Sequence, residues 1–208
     1  MAPDSPDGRA AGLTPGFRGR PRPAGVALPP GQYVERGFPV LTAGTTPHVP
    51  TDRWELTVRN EDLDTWRWSW PDLMALPQDE PTVDLHCVTR WSKFGTRWRG
   101  VSLDVLLADV RSSAQYALVA CYGGYTTNLP VADLLGGRAW VAHTYDGRPL
   151  HPEHGGPARL LVPHLYLWKS AKWVKEIHLV RDDQRGFWER YGYHDYGDPW
   201  REQRYQGD

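Results

Sequence analysis

Cysteine is scarce in this sequence, since Cys87 and Cys121 are the only two among 208 residues. Two cysteines cannot build a disulfide framework, a four-cysteine zinc site or a four-cysteine iron–sulfur cluster. Any chemistry that depends on cysteine in this protein therefore uses a single thiol.

The sequence also lacks an excess of charge of one sign and a long apolar run. Lys and Arg number 24 and Asp and Glu number 25, which gives a formal net charge of -1. That balance argues against a globally basic nucleic-acid binder, so we expect no nucleic-acid partner. No apolar stretch approaches the ~20 residues that a spanning helix needs, so we expect no membrane span.

Several catalytic motifs are missing as well. The sequence contains neither GxxxxGKS/T nor GxGxxG, and so supports neither a nucleoside triphosphatase nor a dinucleotide-binding fold. It contains no GxSxG elbow and no HExxH motif. His151 and His154, with Glu153 between them, are not at a spacing specific for zinc, so we expect no zinc site built from protein ligands.

The composition divides the chain into three segments. Residues 1–31 are rich in Pro, Gly, Ala and Arg without apolar periodicity, which predicts a flexible tail. This segment has no adjacent arginine pair and no following apolar stretch, so we expect a cytoplasmic protein. Residues 32–185 are predicted to form the catalytic domain, and residues 186–208 an aromatic C-terminal extension that wraps around it.

Short strands and shorter helices are predicted within the domain. Alternating or β-branched apolar runs predict strands at 54–58, 82–88, 115–121, 139–145, 158–163 and 174–180. Apolar residues at helical spacing after a capping Ser102 predict a helix over 102–110. Brief helices are also predicted at 71–77 and 129–136. The connections are too short for a doubly wound parallel sheet, which favours a strand-rich α+β fold with mixed sheets.

The end of the second of these strands and the segment after it combine a thiol with cations. Cys87 is followed by Arg90, Lys93, Arg97 and Arg99, and nearby cations lower the pKa of a thiol. One interpretation is a reactive or metal-ligating thiolate in an anion-binding pocket. The alternative is a buried strand cysteine beside a solvated basic turn. Cys121 lacks basic neighbours, and a small core residue is the favoured interpretation there.

A second group of candidates lies between residues 151 and 180. His154 and Arg159 flank a Gly-Gly-Pro turn, and Lys169, Ser170 and Lys172 precede a predicted strand. A guanidinium fork, an ammonium group and the N–H groups of a small-residue loop together suit a phosphate. Taken alone, the lysine-rich turn is equally well explained by solvation.

These two groups, in this order and at this separation, resemble the molybdopterin-binding domain of the sulfite oxidase family. The resemblance covers about Phe38 to Val180 and includes short bacterial sulfite oxidase-like oxidoreductases and the periplasmic methionine sulfoxide reductase catalytic subunit. It implies the sulfite-oxidase-type fold and a molybdenum-molybdopterin cofactor, plain or nucleotide-extended.

The resemblance also implies a set of site residues. Cys87 takes the place of the cysteine that ligates molybdenum, and the segment 38–50 takes the place of the first cofactor-contacting segment. The residues expected to contact the pterin or its phosphate are His48, Cys87, Cys121, His154, Arg159, Ser170, Ala171 and Lys172.

Two positions depart from the sulfite oxidase pattern. His143 stands where those enzymes carry an active-site tyrosine, and Arg90 is followed by Trp91 rather than by a second arginine. A histidine changes the hydrogen bonding and the proton inventory beside the metal. We therefore take Arg90 and His143 as catalytic candidates, and expect a small oxyanion, sulfoxide or N-oxide as substrate.

The expected reaction is a two-electron oxygen-atom transfer, either reduction of a sulfoxide or N-oxide or a sulfite-like oxidation. The sequence contains no second redox centre, so a flavin or ferredoxin-type reductase is the expected electron partner. Two alternatives stay open: a non-catalytic binding module that keeps the cofactor fold, and a metal-independent thiol enzyme that uses Cys87.

Overall fold

The computed structural model describes residues 27–208. Most of the predicted flexible tail, residues 1–26, therefore lies outside the described residues. The last part of that segment is packed against the domain, because Leu28 is only 7% exposed and Pro29 is also buried. The packed chain thus begins a few residues before the boundary predicted at residue 31.

Residues 27–208 form eleven strands and three short α-helices. The strands are β1 (Tyr33–Val34), β2 (Glu55–Arg59), β3 (Thr65–Ser69), β4 (Thr82–His86), β5 (Trp91–Ser102), β6 (Tyr116–Cys121), β7 (Thr126–Pro130), β8 (Trp140–Tyr145), β9 (Arg148–Pro149), β10 (Arg159–Leu161) and β11 (Val174–Val180). The α-helices are α1 (Trp70–Ala75), α2 (Leu103–Leu106) and α3 (Phe187–Arg190). Single turns of 3₁₀-helix occur at Val131–Asp133, Pro152–His154 and Leu167–Lys169.

The strands form two mixed sheets. The five-stranded sheet has the order β3-β2-β11-β6-β7, with β11 parallel to β2 and antiparallel to β6. The six-stranded sheet has the order β1-β5-β8-β10, with β4 added to β5 and β9 added to β8. Strand-rich mixed sheets with few helices confirm the predicted α+β class. Within residues 27–208, no helix is long and apolar enough to cross a membrane.

The two sheets share one large hydrophobic core. Leu56 and Val119 of the five-stranded sheet and Val141 and Leu160 of the six-stranded sheet belong to the same buried cluster. Leu161 belongs instead to a second, smaller cluster on the opposite face of the six-stranded sheet. Neighbouring residues of a strand point to opposite faces, so this sheet is covered on both sides.

All six predicted strands are present; β1, β3, β7 and β9 were not predicted, and neither was the longest strand, β5. Its basic residues indicated a turn, whereas burial along it alternates: Thr96 and Trp98 are buried, and Arg97 and Arg99 are exposed. This period of two is typical of a strand with one face on a core. Arg97 and Arg99 therefore point away from the interior.

The predicted helices are present but shorter than expected. In α1, Ser69 and Asp72 form a capping box, which stabilises its first turn. The helix predicted over 102–110 ends after Leu106, where the Leu107 N–H bonds to the carbonyls of both Leu103 and Val105. The segment 129–136, predicted as a brief helix, instead begins with the last two residues of β7 and continues as the 3₁₀ turn Val131–Asp133.

A bulge in β8 determines which of its side chains face the smaller core. Arg99 pairs with Thr144 and Gly100 with Ala142, so His143 is an extra residue in β8. A Cβ on Gly100 would lie 2.4 Å from the Val141 carbonyl oxygen, so only glycine allows the two strands to approach this closely. A bulge shifts the alternation of side chains by one residue.

Candidate functional site

A cavity of about 400 Å³ lies where six separate segments of the chain meet. Its walls come from the loop 38–45, the turn 87–91, the turn 123–125, residues 154–159, residues 167–173 and residues 187–193. Cys87 lines this cavity together with His154, Arg159 and Lys172. The structure thus brings together the two groups of candidates that lie far apart in the sequence.

Cys87 lies at the start of the tight turn that joins β4 to β5. The Arg90 N–H donates to the Cys87 carbonyl at 3.0 Å, and the Cys87 N–H donates to the Trp91 carbonyl at 2.9 Å. Gln32 Nε2 donates to the same Cys87 carbonyl at 3.0 Å, and the Thr89 hydroxyl donates to Cys87 Sγ at 3.1 Å. The thiol is therefore held in a fixed position at the cavity wall, with its residue 6% exposed.

The electrostatic surroundings of Cys87 differ from those predicted. Burial raises the pKa of the thiol, against the lowering effects of the Thr89 hydrogen bond and the Arg204 charge. The arginines of β5 are directed away from the cavity. Arg97 forms an ion pair with Asp146.

Arg99 lies 4.0 Å from Glu80, and like Arg97 it is exposed. The expectation that these arginines activate the thiol is therefore wrong. Because a metal ion binds the thiolate form, its binding would itself displace the proton from Cys87.

Two cations line another part of the cavity. Arg159 is 3% exposed, and its guanidinium donates to the carbonyls of His154 at 2.9 Å and Ser170 at 2.5 Å. Burial lowers the pKa of Arg159 to about 10. Lys172 is partly buried and donates to the carbonyls of Leu41 at 2.8 Å and Glu153 at 2.9 Å. Burial, followed by the Arg159 charge, lowers the pKa of Lys172 to about 8.

These two cations lack a carboxylate partner within residues 27–208. No carboxylate oxygen there lies within 4.0 Å of Arg159 or Lys172, and the Glu153 carboxylate acts on Lys172 only from a longer distance. Desolvated charges are costly unless they are paired. In addition, the buried Trp91 Nε1–H has no hydrogen-bond partner among the described residues, and Trp91 lines the cavity. Two cations and a free donor suit a phosphate-bearing ligand rich in acceptor atoms.

The Gly-Gly-Pro turn allows these groups to lie side by side. Gly155 has a φ of +107°, and a Cβ there would lie 3.0 Å from side-chain carbons of both Arg159 and Lys172. Glycine adopts this conformation without steric cost. The preceding His154 ring stacks on Phe38 at 4.1 Å, and burial lowers the pKa of His154.

Ser170 and Ala171 line the cavity as predicted, but their polar groups are largely used within the fold. The Ser170 hydroxyl accepts a hydrogen bond from the Val162 N–H at 2.8 Å, and the Ala171 carbonyl accepts one from the Leu160 N–H at 2.8 Å. Lys169, a phosphate candidate in the sequence, is directed elsewhere. It is fully buried against Glu189 and Asn128.

Four predicted site residues are not among the cavity-lining residues of the described chain. His48 is exposed and lines a separate depression with Asp52, Arg53 and Tyr122. Cys121 belongs to the large hydrophobic core, where burial raises the pKa of its thiol to about 12. The turn that follows Cys121, rather than its side chain, reaches the cavity.

Arg90 and His143 also lie outside the set that lines the cavity. Arg90 is exposed at the end of the Cys87 turn, where its φ is +77°. His143, displaced by the β8 bulge, bonds to Gln78 Oε1 and Thr144 Oγ1 at 2.8 Å each. Burial, together with the Arg99 charge, lowers the pKa of His143 to about 4.

The C-terminal segment supplies a wall of the cavity, although no residue of it was among the predicted site residues. Phe187, Trp188 and Tyr193 line the cavity, and the Tyr193 ring lies 5.2 Å from that of Trp168 and 5.0 Å from that of Trp188. We call these four side chains the aromatic wall. The signal available in the sequence was the density of aromatic residues after Gly186. This segment begins with α3 and helps to enclose the cavity.

The sequence model of the oxidoreductase molybdopterin-binding domain family matches residues 43–188. The chain belongs to this family. The match contains Cys87, Arg159 and Lys172, and it ends just after the start of α3. The family has a molybdenum-molybdopterin cofactor, and the unpaired cations, the free Trp91 donor and the Cys87 thiol in the cavity fit such a group.

Named relatives and a solved structure agree with this assignment. The chain is 42% identical to the uncharacterized oxidoreductase YuiH of Bacillus subtilis over 184 residues, which are 87% of this chain and 93% of that protein. It is 29% identical to the putative protein-methionine-sulfoxide reductase subunit YedZ1 of Azospira oryzae over 136 residues, 64% of this chain and 52% of that protein.

Identity to the mitochondrial sulfite oxidase of Rattus norvegicus is 26% over 181 residues, 66% of this chain and 33% of that enzyme. Sulfane dehydrogenase SoxCD of Paracoccus pantotrophus has a similar fold, with a TM-score of 0.61 at 16% identity over 88% of this chain and 57% of that chain. The predicted sulfite-oxidase-type oxidoreductase is thereby confirmed at the level of family, fold and cofactor.

Proposed function

We propose that this protein reduces a neutral sulfoxide or N-oxide by oxygen-atom transfer at a molybdenum ion ligated by Cys87. One observation carries the proposal: a single cavity has one thiol, Cys87, and two cations without carboxylate partners, Arg159 and Lys172, on its walls. A thiolate is the ligand that a soft metal centre prefers, and the cations suit the phosphate of the pterin.

The bound cofactor would supply a metal that exchanges two electrons and an oxygen atom, while the protein orients it and sets its electrostatics. In this proposal Arg159 and Lys172 neutralise the phosphate. Trp91 would donate a hydrogen bond to the cofactor from its free Nε1–H. Cys87, held by the backbone hydrogen bonds of its turn, would bind the metal in the cavity that the aromatic wall also lines.

The aromatic wall supports an uncharged substrate with apolar substituents. Aromatic rings bind apolar groups with large contact area, whereas a small dianion such as sulfite requires cations. Arg97 and Arg99 are directed away and lie near Asp146 and Glu80. For a sulfoxide the balance is R₂SO + 2 H⁺ + 2 e⁻ → R₂S + H₂O. The electrons come from a reduced flavin or ferredoxin-type protein.

A pair of cysteine variants tests this proposal. The assay is reduction of methyl phenyl sulfoxide and trimethylamine N-oxide by protein whose molybdenum and pterin content has been measured, with reduced viologen as donor. We expect Cys87→Ser to lower kcat/KM by at least about 100-fold, since loss of outer-sphere partners of a metal already costs 10–100-fold. Cys121→Ala, which removes the core thiol, should stay within a few-fold of wild type.

Three results would contradict the proposal. These are a wild-type protein without stoichiometric molybdenum, an unchanged rate in Cys87→Ser, and rapid sulfite oxidation without reduction of either test substrate. A metal-loaded protein that turns over no substrate would favour the non-catalytic module. The metal-independent thiol enzyme is disfavoured because burial raises the pKa of Cys87, whereas a nucleophilic cysteine needs a lowered one.

We also propose a cytoplasmic location for this chemistry, where a soluble reductase would have access to the cavity. Fractionation of the native cells with an antibody to the protein tests this. Recovery with a cytoplasmic marker is the expected result, and recovery with the extracytoplasmic fraction would contradict it.

A further inference from the structure

Arg204, close to the C-terminus, is buried beside the Cys87 turn. It is 4% exposed and lies outside the part of the chain that the family model matches, residues 43–188. A buried arginine is costly unless its donors are satisfied. The acceptors of Arg204 therefore indicate what this side chain does.

The Arg204 guanidinium connects the Cys87 turn to the N-terminal part of the described chain. Nη1 donates to the Val88 carbonyl at 2.6 Å, and Nη2 donates to the Pro30 carbonyl at 3.2 Å. Val88 directly follows Cys87 inside the turn. Two residues after Pro30, Gln32 Nε2 donates to the Cys87 carbonyl at 3.0 Å. The turn that carries the thiol is thus held by two side chains from distant parts of the sequence.

The guanidinium is itself held in place. It lies 5.0 Å from the centre of the fully buried Tyr166 ring, and Glu202 Oε1 is 3.5 Å from Nε. The Arg204 backbone is also fixed, because its N–H donates to Asp208 Oδ2 at 2.8 Å and its carbonyl accepts from the His194 N–H at 3.1 Å. The position of this charge is therefore set by the fold.

We propose that Arg204 is a positioning residue for the metal site: it holds the Cys87 turn through Val88 and directs a fixed positive charge toward the metal-ligating thiolate. Hydrogen bonds from a charged donor are about twice as strong as neutral ones, and the rigid fork reaches two carbonyls at once. A buried charge beside a metal site also changes its redox properties. The metal-directed part of this role rests on the function proposed above, whereas the structural part does not.

Three variants separate the two parts of the role. Arg204→Gln removes the charge and the fork, and Arg204→Lys keeps the charge but cannot bridge Val88 and Pro30. Arg201→Gln is the matched control, because Arg201 is an exposed arginine of the same segment. If Arg204→Gln does not fold, Arg204→Lys still tests the positioning of the turn.

The first measurement is hydrogen exchange in the purified full-length chain, read at the amides of Cys87 and Arg90. Both amides donate within the turn, so loosening of the turn raises their exchange rates. We expect an increase of about tenfold or more in Arg204→Gln and Arg204→Lys, corresponding to loss of one hydrogen bond, and none in Arg201→Gln. Wild-type protection in both Arg204 variants would overturn the proposal.

The second measurement is the midpoint potential of the molybdenum centre, with kcat and KM alongside. Loss of a nearby positive charge disfavours reduction, so the potential of Arg204→Gln should move to more negative values, while Arg204→Lys and Arg201→Gln stay near wild type. We expect kcat of Arg204→Gln to fall with little change in KM. An unchanged potential would overturn the electrostatic part. If the protein holds no molybdenum, the proposed function fails, and the exchange rates still decide the structural part.

Discussion

At the scale of single residues, the main feature of the site is the pair of cations beside each other in the cavity wall. Burial lowers the pKa of Lys172, and electrostatic repulsion from the Arg159 charge lowers it further. An anion bound between them would relieve this repulsion. If Lys172 holds the cofactor phosphate as proposed, binding of that phosphate depends on the protonation of Lys172.

This leads to a prediction about pH. With its pKa at about 8, the Lys172 side chain is mainly a charged ammonium below that pH and mainly a neutral amine above it. Anion affinity should be constant up to about pH 7.5 and then fall by as much as about tenfold per pH unit. Calorimetric titration of cofactor-free protein with sulfate, whose charge does not change in this range, measures the effect.

Two variants serve as controls for the pH experiment. Lys172→Arg keeps its charge, so its affinity should stay constant up to about pH 9. Lys172→Met should bind sulfate weakly at every pH. A wild-type affinity that does not change between about pH 7 and pH 9 would contradict the assignment of Lys172 to the anion site.

A local sequence pattern was not sufficient to locate the charge that acts on Cys87. Cys87 was predicted as the ligand partly because arginines follow it, but the alternation of β5 turns Arg97 and Arg99 to the outside. The cation that acts on Cys87 is Arg204, which bonds to Val88 across 116 positions. Contacts over such a distance depend on tertiary packing, and no local pattern encodes them.

At the scale of elements, the C-terminal segment is fixed by one buried ion pair. Lys169 Nζ lies 2.7 Å from Glu189 Oε1, and both side chains are inaccessible to solvent. Lys169 also donates to Asn128 and to the Asp195 carbonyl, and Glu189 accepts from Trp168 Nε1. Because Glu189 belongs to α3, this network holds the aromatic wall against the cavity.

Breaking this pair on one side should therefore be costly. Lys169→Met leaves the Glu189 carboxylate buried without its partner, and we expect it to lower the free energy of unfolding by about 3–5 kcal/mol. The double variant Lys169→Met, Glu189→Leu removes both charges and should recover part of that loss. Urea denaturation gives the free energies, and a double variant no more stable than the single one would contradict this account.

Six strands could be predicted because apolar residues alternate or cluster along them, whereas β5 alternates in burial but carries arginines on its exposed face. Strands β4, β6, β8, β10 and β11 lie within the segments predicted from alternating or β-branched apolar runs, and β2 extends one residue beyond its segment. The helix predicted from 102 to 110 was wrong in length, because Leu103, Leu106 and Leu107 reach the core in one turn. The bulge at His143 was beyond prediction, since it depends on the pairing of β8 with β5.

At the scale of the whole molecule, the site is a product of the fold rather than of any one segment. The cavity takes its walls from chain segments between residues 38 and 193, which includes residues on both sides of the domain boundary predicted at 185. The resemblance to the molybdopterin-binding family identified the cofactor and its main candidate residues. It could not indicate that residues 186–208 enclose the site, because their aromatic and charged sequence has no period.

The central claim is that the Cys87 sulfur binds molybdenum. The most direct test replaces Cys87 with selenocysteine and records X-ray absorption at the molybdenum edge, where a selenium neighbour is distinguished from sulfur by its stronger scattering. Selenocysteine at position 121 is the matched control. The account predicts a molybdenum–selenium bond in the protein substituted at position 87 and none in the control. A molybdenum centre without a selenium neighbour in the protein substituted at position 87 would contradict it.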